Sequence, residues 1–362
     1  TVYRSLEFVM SLPNAILVIN PGSTSTKIAI AEDDCITSAE TLRHDADELS
    51  RYANIWDQFN YRLMLCRHWS ATRLERCSAI VARGGLLRPL PGGTYRVTPE
   101  MLDDARENFQ GEHASNLGCA LAYELAKEYG CPAFVVDPVS VNEFDPLAKY
   151  SGLPFIERKS LSHALNLHAA GRRAASELGI TFDESCLIVA HLGSGISVAP
   201  LRGGKIVDVN DASSDGPFAP ERSGGLPLQQ LITLCFSGTH SESEMRAFVR
   251  TRGGLVAYLG TNDLKEIERR IEQGESEARE VYEAMAYQIA KEIGAMATVL
   301  KGKVDAIVLT GGAARSSLLT SWIEERIRFI APVKIYAGED EMAALAHGAL
   351  RALKGDEEAK TY

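Results

Sequence analysis

The chain is predicted to fold as an α/β protein made of two duplicated domains. Three observations carry this expectation. Short apolar runs end in glycine or polar residues: "SAIVARGG" (78–85), "AFVVDP" (133–138), "CLIVAHLGSG" (186–195), "DAIVLTGG" (305–312) and "PVKIYAGEDE" (332–341). Long stretches of helical periodicity separate them, as at 280–301, where Val281, Met285, Ile289, Ile293, Met296 and Leu300 recur at helical spacing. Finally, "AILVINPGSTSTKIAIAEDDCI" (15–36) returns in outline as "CLIVAHLGSGISVAPLRGGKIV" (186–207). Each copy reads as a buried strand, a turn of small residues, a second strand, and a polar turn into a third. Their offset of about 170 residues is far beyond a solenoid period, so it indicates two domains, starting near residues 14 and 185. In α/β folds ligands gather at the C-terminal ends of strands, which is where the polar punctuation falls.

Composition agrees and excludes several classes. A chain of 362 residues is too long for one ordinary core. Apolar content of 45% and charged content of 24% are those of a soluble globular protein. The net charge of -10, from 38 basic and 48 acidic residues, argues against nucleic acid or an anionic membrane as partner. No apolar run nears the ~20 residues of a membrane span. The stretch "TVYRSLEFVMSLPN" lacks the long apolar region of a signal peptide, and the first dozen residues are set aside. Seven cysteines (35, 66, 77, 119, 131, 186, 235) form an odd set without a C-x-x-C pair, which indicates neither disulfides nor zinc. A reduced, cytoplasmic protein is expected.

The first turn is the most informative stretch. Hairpins usually turn on two residues. This one uses Asn20, Pro21, Gly22, Ser23, Thr24, Ser25 and Thr26 and then adds Lys27. A decorative loop is one reading; a cradle of backbone N–H groups, hydroxyls and a lysine for an anion is the other. The matching second turn, with His191, Gly193, Ser194 and Gly195, favours the cradle. Two such turns facing each other across a cleft would hold a polyphosphate from both sides. The P-loop signature is absent, and Lys27 leads into a strand rather than a helix. The protein-kinase motifs are absent too. "HLGSGISV" lacks the third glycine and the helix of a dinucleotide fold.

With these motifs in order, the sequence resembles the acetate and butyrate kinase family, within the superfamily of sugar kinases, Hsp70 and actin. The matching stretches are "VINPGSTSTK", "VARGGLLRPLPGGTY", "GEHASNLG", "HALNLHAAGRRAA", "VAHLGSGISV", "GPFAPERSG", "AYLGTND", "AMAYQIAKEIGAMA", "IVLTGG" and "GEDEMAALAHGAL". They run from about residue 14 to the C-terminus, so the likeness to the butyrate kinases covers nearly the whole chain. The resemblance implies a ribonuclease H-like fold of two domains with ATP and Mg²⁺ in the cleft between them. Residues 14–175, joined by the C-terminal helix 342–362, would form the acyl-kinase domain, and 176–341 the nucleotide-binding domain. The implied reaction moves the γ-phosphoryl group of ATP to a short-chain carboxylate, reversibly, with ADP as the other product.

The resemblance also assigns residues. It implies that Asn20, Ser23, Ser25 and Lys27 face the transferred phosphate, and that the loop of His191, Gly193, Ser194 and Gly195 holds the β- and γ-phosphates. Gly311, Gly312 and Ala313, a glycine turn that begins a helix, fall at the adenosine site. Arg222, between prolines and beside glycines, matches a catalytic arginine; a fixed loop is where a planar, always-charged fork neutralises a phosphoryl transition state. Asp137 matches a catalytic aspartate, and is expected to hold Mg²⁺ directly or through water. His163 matches one family histidine, while the position of another falls near Lys159. Acetate kinases read "RVVHGG" where this chain reads "IVARGG" (80–85). Their arginine therefore aligns with Ile80 and their histidine with Arg83, which either supplies the displaced charge or reshapes the acyl pocket. Glu341, beside Glu339 and Asp340 at the start of the last helix, falls where a family glutamate is implicated in Mg²⁺ binding. Acidic residues also sit at helix N-termini for dipole reasons alone.

A carboxylate is ionised at neutral pH and already a nucleophile, so no strong general base is required. Butyrate is the expected acceptor; isobutyrate or another short-chain acid is the alternative, since one methylene is worth only ~1–3 kcal/mol of discrimination. A hydroxyl-substrate kinase would need Asp137 as base. A catalytically idle nucleotide-binding regulator should lack the "ERSG" and "HASN" stretches, and both are present. A homodimer or higher homo-oligomer is expected.

Overall fold

The computed structural model describes residues 15–338 and 340–362; the N-terminal stretch read above and Glu339 lie outside them. The first sheet contains β1 (Ala15–Pro21), β2 (Ser25–Glu32), β3 (Cys35–Arg43), β4 (Ala79–Arg83), β5 (Thr94–Arg96) and β6 (Ala133–Val136). Its order is β3-β2-β1-β4-β6-β5. The second contains β7 (Cys186–Leu192), β8 (Ile196–Arg202), β9 (Lys205–Ile206), β10 (Ala306–Gly311) and β11 (Val333–Ala337), in the order β11-β10-β7-β8-β9.

The echo in the sequence is an echo of topology. In each sheet three strands run antiparallel through two hairpins, and the first of them continues into a parallel half. β1, β4 and β6 are parallel neighbours in one; β7, β10 and β11 in the other. Parallel strands covered on both faces are apolar along most of their length, and β1, β4, β6, β7 and β10 are; Asn20, Arg83, His191 and Thr310, their polar residues, come at or near the C-terminal ends. Alternation within β7 then serves two layers. Ile188, Ala190 and Leu192 face Met285, Ile289 and Ile293 of the long helix Ser276–Val299. Leu187 and Val189 pack with Leu167, Ala170 and Ala174 of the helix Ala164–Leu178.

The chain forms two compact units. One takes the described chain to Leu87, then Gly93–Val136 and Met342–Tyr362; the other takes Arg88–Gly92 and Asp137–Glu341. The division therefore falls after Val136 rather than after residue 175. The physical reason is the helix Ala164–Leu178, whose inner face packs on the second sheet, in one apolar cluster with Leu187 and Val189 of β7, Leu201 of β8 and Val308 of β10. The C-terminal helix Glu341–Lys354 joins the first unit from Met342 on, where the Gly348 carbonyl accepts from Thr94 Oγ1 at 3.1 Å. Among the described residues no helix is long and apolar enough to cross a membrane.

Candidate active site

The second turn is built where β7 and β8 close their hairpin. His191 stands opposite Ser197 across the pair and beside Thr310 of the parallel strand β10. His163 caps the helix Ala164–Leu178 and reaches this pair: its Nδ1 lies 2.9 Å from Ser197 Oγ, and its ring stacks on His191 at 4.3 Å. Gly195 lies on the far side of the turn, where a Cβ would overlap the Arg222 guanidinium. Glycine is needed here for that close approach. Arg222 thus meets the turn directly, in a segment without helix or strand. Its loop is held by the backbone: Ala219 N–H donates to Arg222 O at 2.9 Å, and Gly253 N–H to Glu221 O at 3.0 Å. Burial, and then Arg250, work against the charge on Arg222. A bound phosphate would offset both.

A second cluster surrounds Asp137, which follows β6 and is buried. Its φ of +40° lies in the left-handed region, a conformation that costs about 1–3 kcal/mol and needs support from its surroundings. The support is His168, whose Nδ1 lies 2.9 Å from Asp137 Oδ1 and whose Nε2 lies 3.6 Å from Glu143 Oε2. Glu143 in turn accepts from Gly92 N–H and Ile206 N–H, both at 2.9 Å. Burial alone would push the His168 pKa down. The two carboxylates outweigh it and raise the pKa to about 9. At neutral pH the cluster is therefore a buried imidazolium between two carboxylates.

One helix start organises all this. His163 is its N-cap, Asn166 its third residue and His168 its fifth; Asn166 Nδ2 is 3.4 Å from Glu341 Oε1, so the three side chains reach the second hairpin turn, Glu341 and Asp137 respectively. Sequence reading singled out only His163. The signal for the others was present: Asn166 and His168 are polar residues in a segment whose neighbours Ala164, Leu165 and Leu167 are all buried.

The first turn lies in the other unit. Asn20 is buried at the end of β1, opposite Lys27 in β2; Ser23 and Lys27 are exposed, and Ser25 is half-buried. Beneath the turn is a residue the sequence reading missed, Arg62 of the helix Phe59–Ala71. It is fully buried, and its guanidinium donates to Gly22 O at 2.7 Å and Ser23 O at 3.1 Å. Its sign in the sequence was an arginine on the apolar stripe of Phe59, Leu63 and Cys66.

The remaining candidates sit at strand ends. Gly311 closes β10 with φ +96°, and a side chain there would strike the Leu192 carbonyl; Gly312 and Ala313 begin a 3-10 turn ahead of the helix Ser317–Ile327. Arg83 ends β4 half-buried, paired in register with Val136, whereas Ile80 is enclosed between Leu17 and Ala133. Ile80 can supply neither charge nor contact to a ligand. Among the described residues no three His, Cys, Asp or Glu side chains converge as a metal cage. Mg²⁺ binds through one or two carboxylates, water and substrate phosphates, and in donor type the buried carboxylates of Asp137 and Glu341 fit that mode.

Two units with repeated sheets, each closing a hairpin on a turn of small residues, give the fold of the actin, Hsp70 and sugar-kinase superfamily. Solved structures agree: acetate kinase from Porphyromonas gingivalis superposes with a TM-score of 0.75 at 19% identity, covering 94% of this chain and 100% of that one. Propionate kinase from Francisella tularensis gives 0.72 at 17% identity, covering 92% and 98%. The acetokinase family model matches residues 158–330. The protein named "Probable butyrate kinase" from Listeria monocytogenes serovar 1/2a is 50% identical over 351 residues, 96% of this chain and 99% of the relative. The chain belongs to the acetokinase family, together with the acetate and butyrate kinases.

Proposed function

We propose that this protein transfers the γ-phosphoryl group of ATP to a short-chain carboxylate, butyrate or a close relative, and runs the reaction in reverse to make ATP. A carboxylate oxygen forms the new bond to phosphorus, the bond to the β-phosphate oxygen breaks, and ADP leaves. The observation that carries the reading is Arg222 lying against Gly195 of the second turn, a charged fork at a phosphate cradle. His191 and the backbone of Gly193, Ser194 and Gly195 are assigned to the β- and γ-phosphates. Asn20, Ser23, Ser25 and Lys27 are assigned to the transferred group, and Gly311, Gly312 and Ala313 to the adenosine. Asp137 and Glu341 would hold Mg²⁺, which supplies charge neutralisation at the phosphate oxygens when bound. His163 orients His191 by stacking. Arg83, at the end of β4, is assigned to the acyl end of the site, and no strong base is needed because the acid is already ionised.

The 50% identity to a protein named a butyrate kinase favours butyrate over isobutyrate and longer acids. A cytoplasmic location follows from the use of ATP. Self-association is supported by the helix Leu228–Cys235, which exposes Leu228 and Ile232 beside the exposed Phe236. The test is a panel of two- to six-carbon acids with ATP and Mg²⁺, the product trapped by hydroxylamine. Hydroxamate should appear fastest with a four-carbon acid. Folded protein that yields none with any acid would sink the assignment.

A further inference from the structure

Arg62 is a buried cation held only by neutral groups. Its Nε and one terminal nitrogen donate to Gln58 Oε1 at 3.1 and 2.7 Å. Its other contacts are the Gly22 and Ser23 carbonyls, Thr26 Oγ1 at 3.3 Å and, at 3.5 Å, the Ser25 carbonyl. Among the described residues no carboxylate pairs with it. An isolated charge away from water is costly, and proteins usually pair it. Burial works against the Arg62 charge. The neighbouring His44, hydrogen-bonded to Thr26 Oγ1 at 2.9 Å, has its pKa lowered to about 4, first by burial and then by Arg62, so it is neutral at pH 7. The positive charge under the turn is therefore that of Arg62.

The carbonyls it holds matter as much as the charge. In a trans peptide the C=O and the following N–H point to opposite sides. Drawing Gly22 O and Ser23 O toward Arg62 turns the Ser23 and Thr24 N–H groups away from it. Among the described residues neither N–H has an acceptor. Two successive outward N–H groups over a buried cation make an anion-binding concavity.

We propose that Arg62 is the positioning residue of the first turn, and that the missing counter-ion is the phosphoryl group bound there. Arg62 does not touch that group; it aims the Ser23 and Thr24 amides and supplies charge through them. This rests on the reading of the turn as a phosphate site, so the experiment carries controls for both. Arg62→Ala should lower kcat/KM for ATP on the order of 10²-fold, because misplacement by an ångström costs that much. KM for the carboxylate should hold, and millimolar guanidinium should restore part of the activity. Arg62→Lys, which keeps the buried charge and folds more readily, should lie between the two. A bracing role alone would lower the melting temperature and leave the kinetics of the folded fraction unchanged. Lys27→Ala and Ser25→Ala are assayed alongside. If those impair ATP use while folded Arg62→Lys matches wild type, the inference on Arg62 falls. If Lys27→Ala and Ser25→Ala also match wild type, the phosphate reading of the turn falls with it.

Discussion

Arg222→Ala is expected to lower kcat on the order of 10²–10³-fold, with KM for ATP little changed. The reason is differential charge. In the resting protein Arg222 donates from Nη1 to the Ala212 carbonyl at 2.9 Å, a neutral acceptor, while burial and Arg250 oppose its charge. On the proposed reading, negative charge spreads over the phosphoryl oxygens as the group leaves the β-phosphate, and a fork already in place would stabilise it without reorganisation. Arg222→Lys should recover only part of the loss, because a point charge lacks the planar fork. Gly195→Ala should mimic the defect by displacing the guanidinium from the turn. The check is steady-state kinetics with ATP and the best acid of the panel. Wild-type turnover in Arg222→Ala would place Arg222 outside the chemistry.

Asp137→Asn is the second large effect, and it should be read in both activity and stability. On the proposed reading Asp137 would hold Mg²⁺, so loss of its charge should lower activity, with partial rescue by raised Mg²⁺ or by Mn²⁺ and the shape of the pH profile kept. The stability effect follows from His168. Its folded pKa is raised from 6.5 to about 9, so its contribution is fully present below pH 6.5 and is lost as pH rises through about 9. With Asn at 137 only Glu143 remains beside the imidazolium. The folded pKa then drops toward 6.5, and the alkaline loss of stability moves to lower pH. Removing one member of a buried pair costs about 3–5 kcal/mol at neutral pH. Urea unfolding across the pH range measures this, and a metal titration at two pH values measures the other. Activity that recovers with pH and ignores metal would show Asp137 to be a base, and would reopen the case for a hydroxyl substrate.

Much of this architecture was legible in the sequence, for a physical reason. Strands buried on both faces must be continuous apolar runs, so β1, β4, β6, β7 and β10 declare themselves, and the turns stand out as the polar gaps between them. The repeated hairpin was visible because both copies need small residues at the same place. What stayed hidden depends on packing across distant parts of the chain. The helix Ala164–Leu178 could not be assigned to the second unit before its inner face was seen against β7 and β10. His168 looked like one histidine among several until Asp137 and Glu143 were found on its two nitrogens. Arg62 was hidden because an arginine on a helix is ordinarily a surface residue, and its partners lie some forty residues earlier in the chain. Arg83 was legible as a departure from the family pattern, and it ends β4 half-buried.

The central claim is that a carboxylate oxygen attacks the γ-phosphorus of ATP, and isotope transfer tests it most directly. The acid is labelled with heavy oxygen in both carboxylate positions and incubated with ATP, Mg²⁺ and the enzyme. Hydroxylamine then attacks the carbonyl carbon of the acyl phosphate, and the bridging oxygen stays on phosphorus when phosphate is released. The account predicts that each released phosphate carries one heavy oxygen, seen by mass spectrometry. Phosphate released without label, from folded enzyme turning over ATP, would mean that the acid is not the acceptor and would contradict the account.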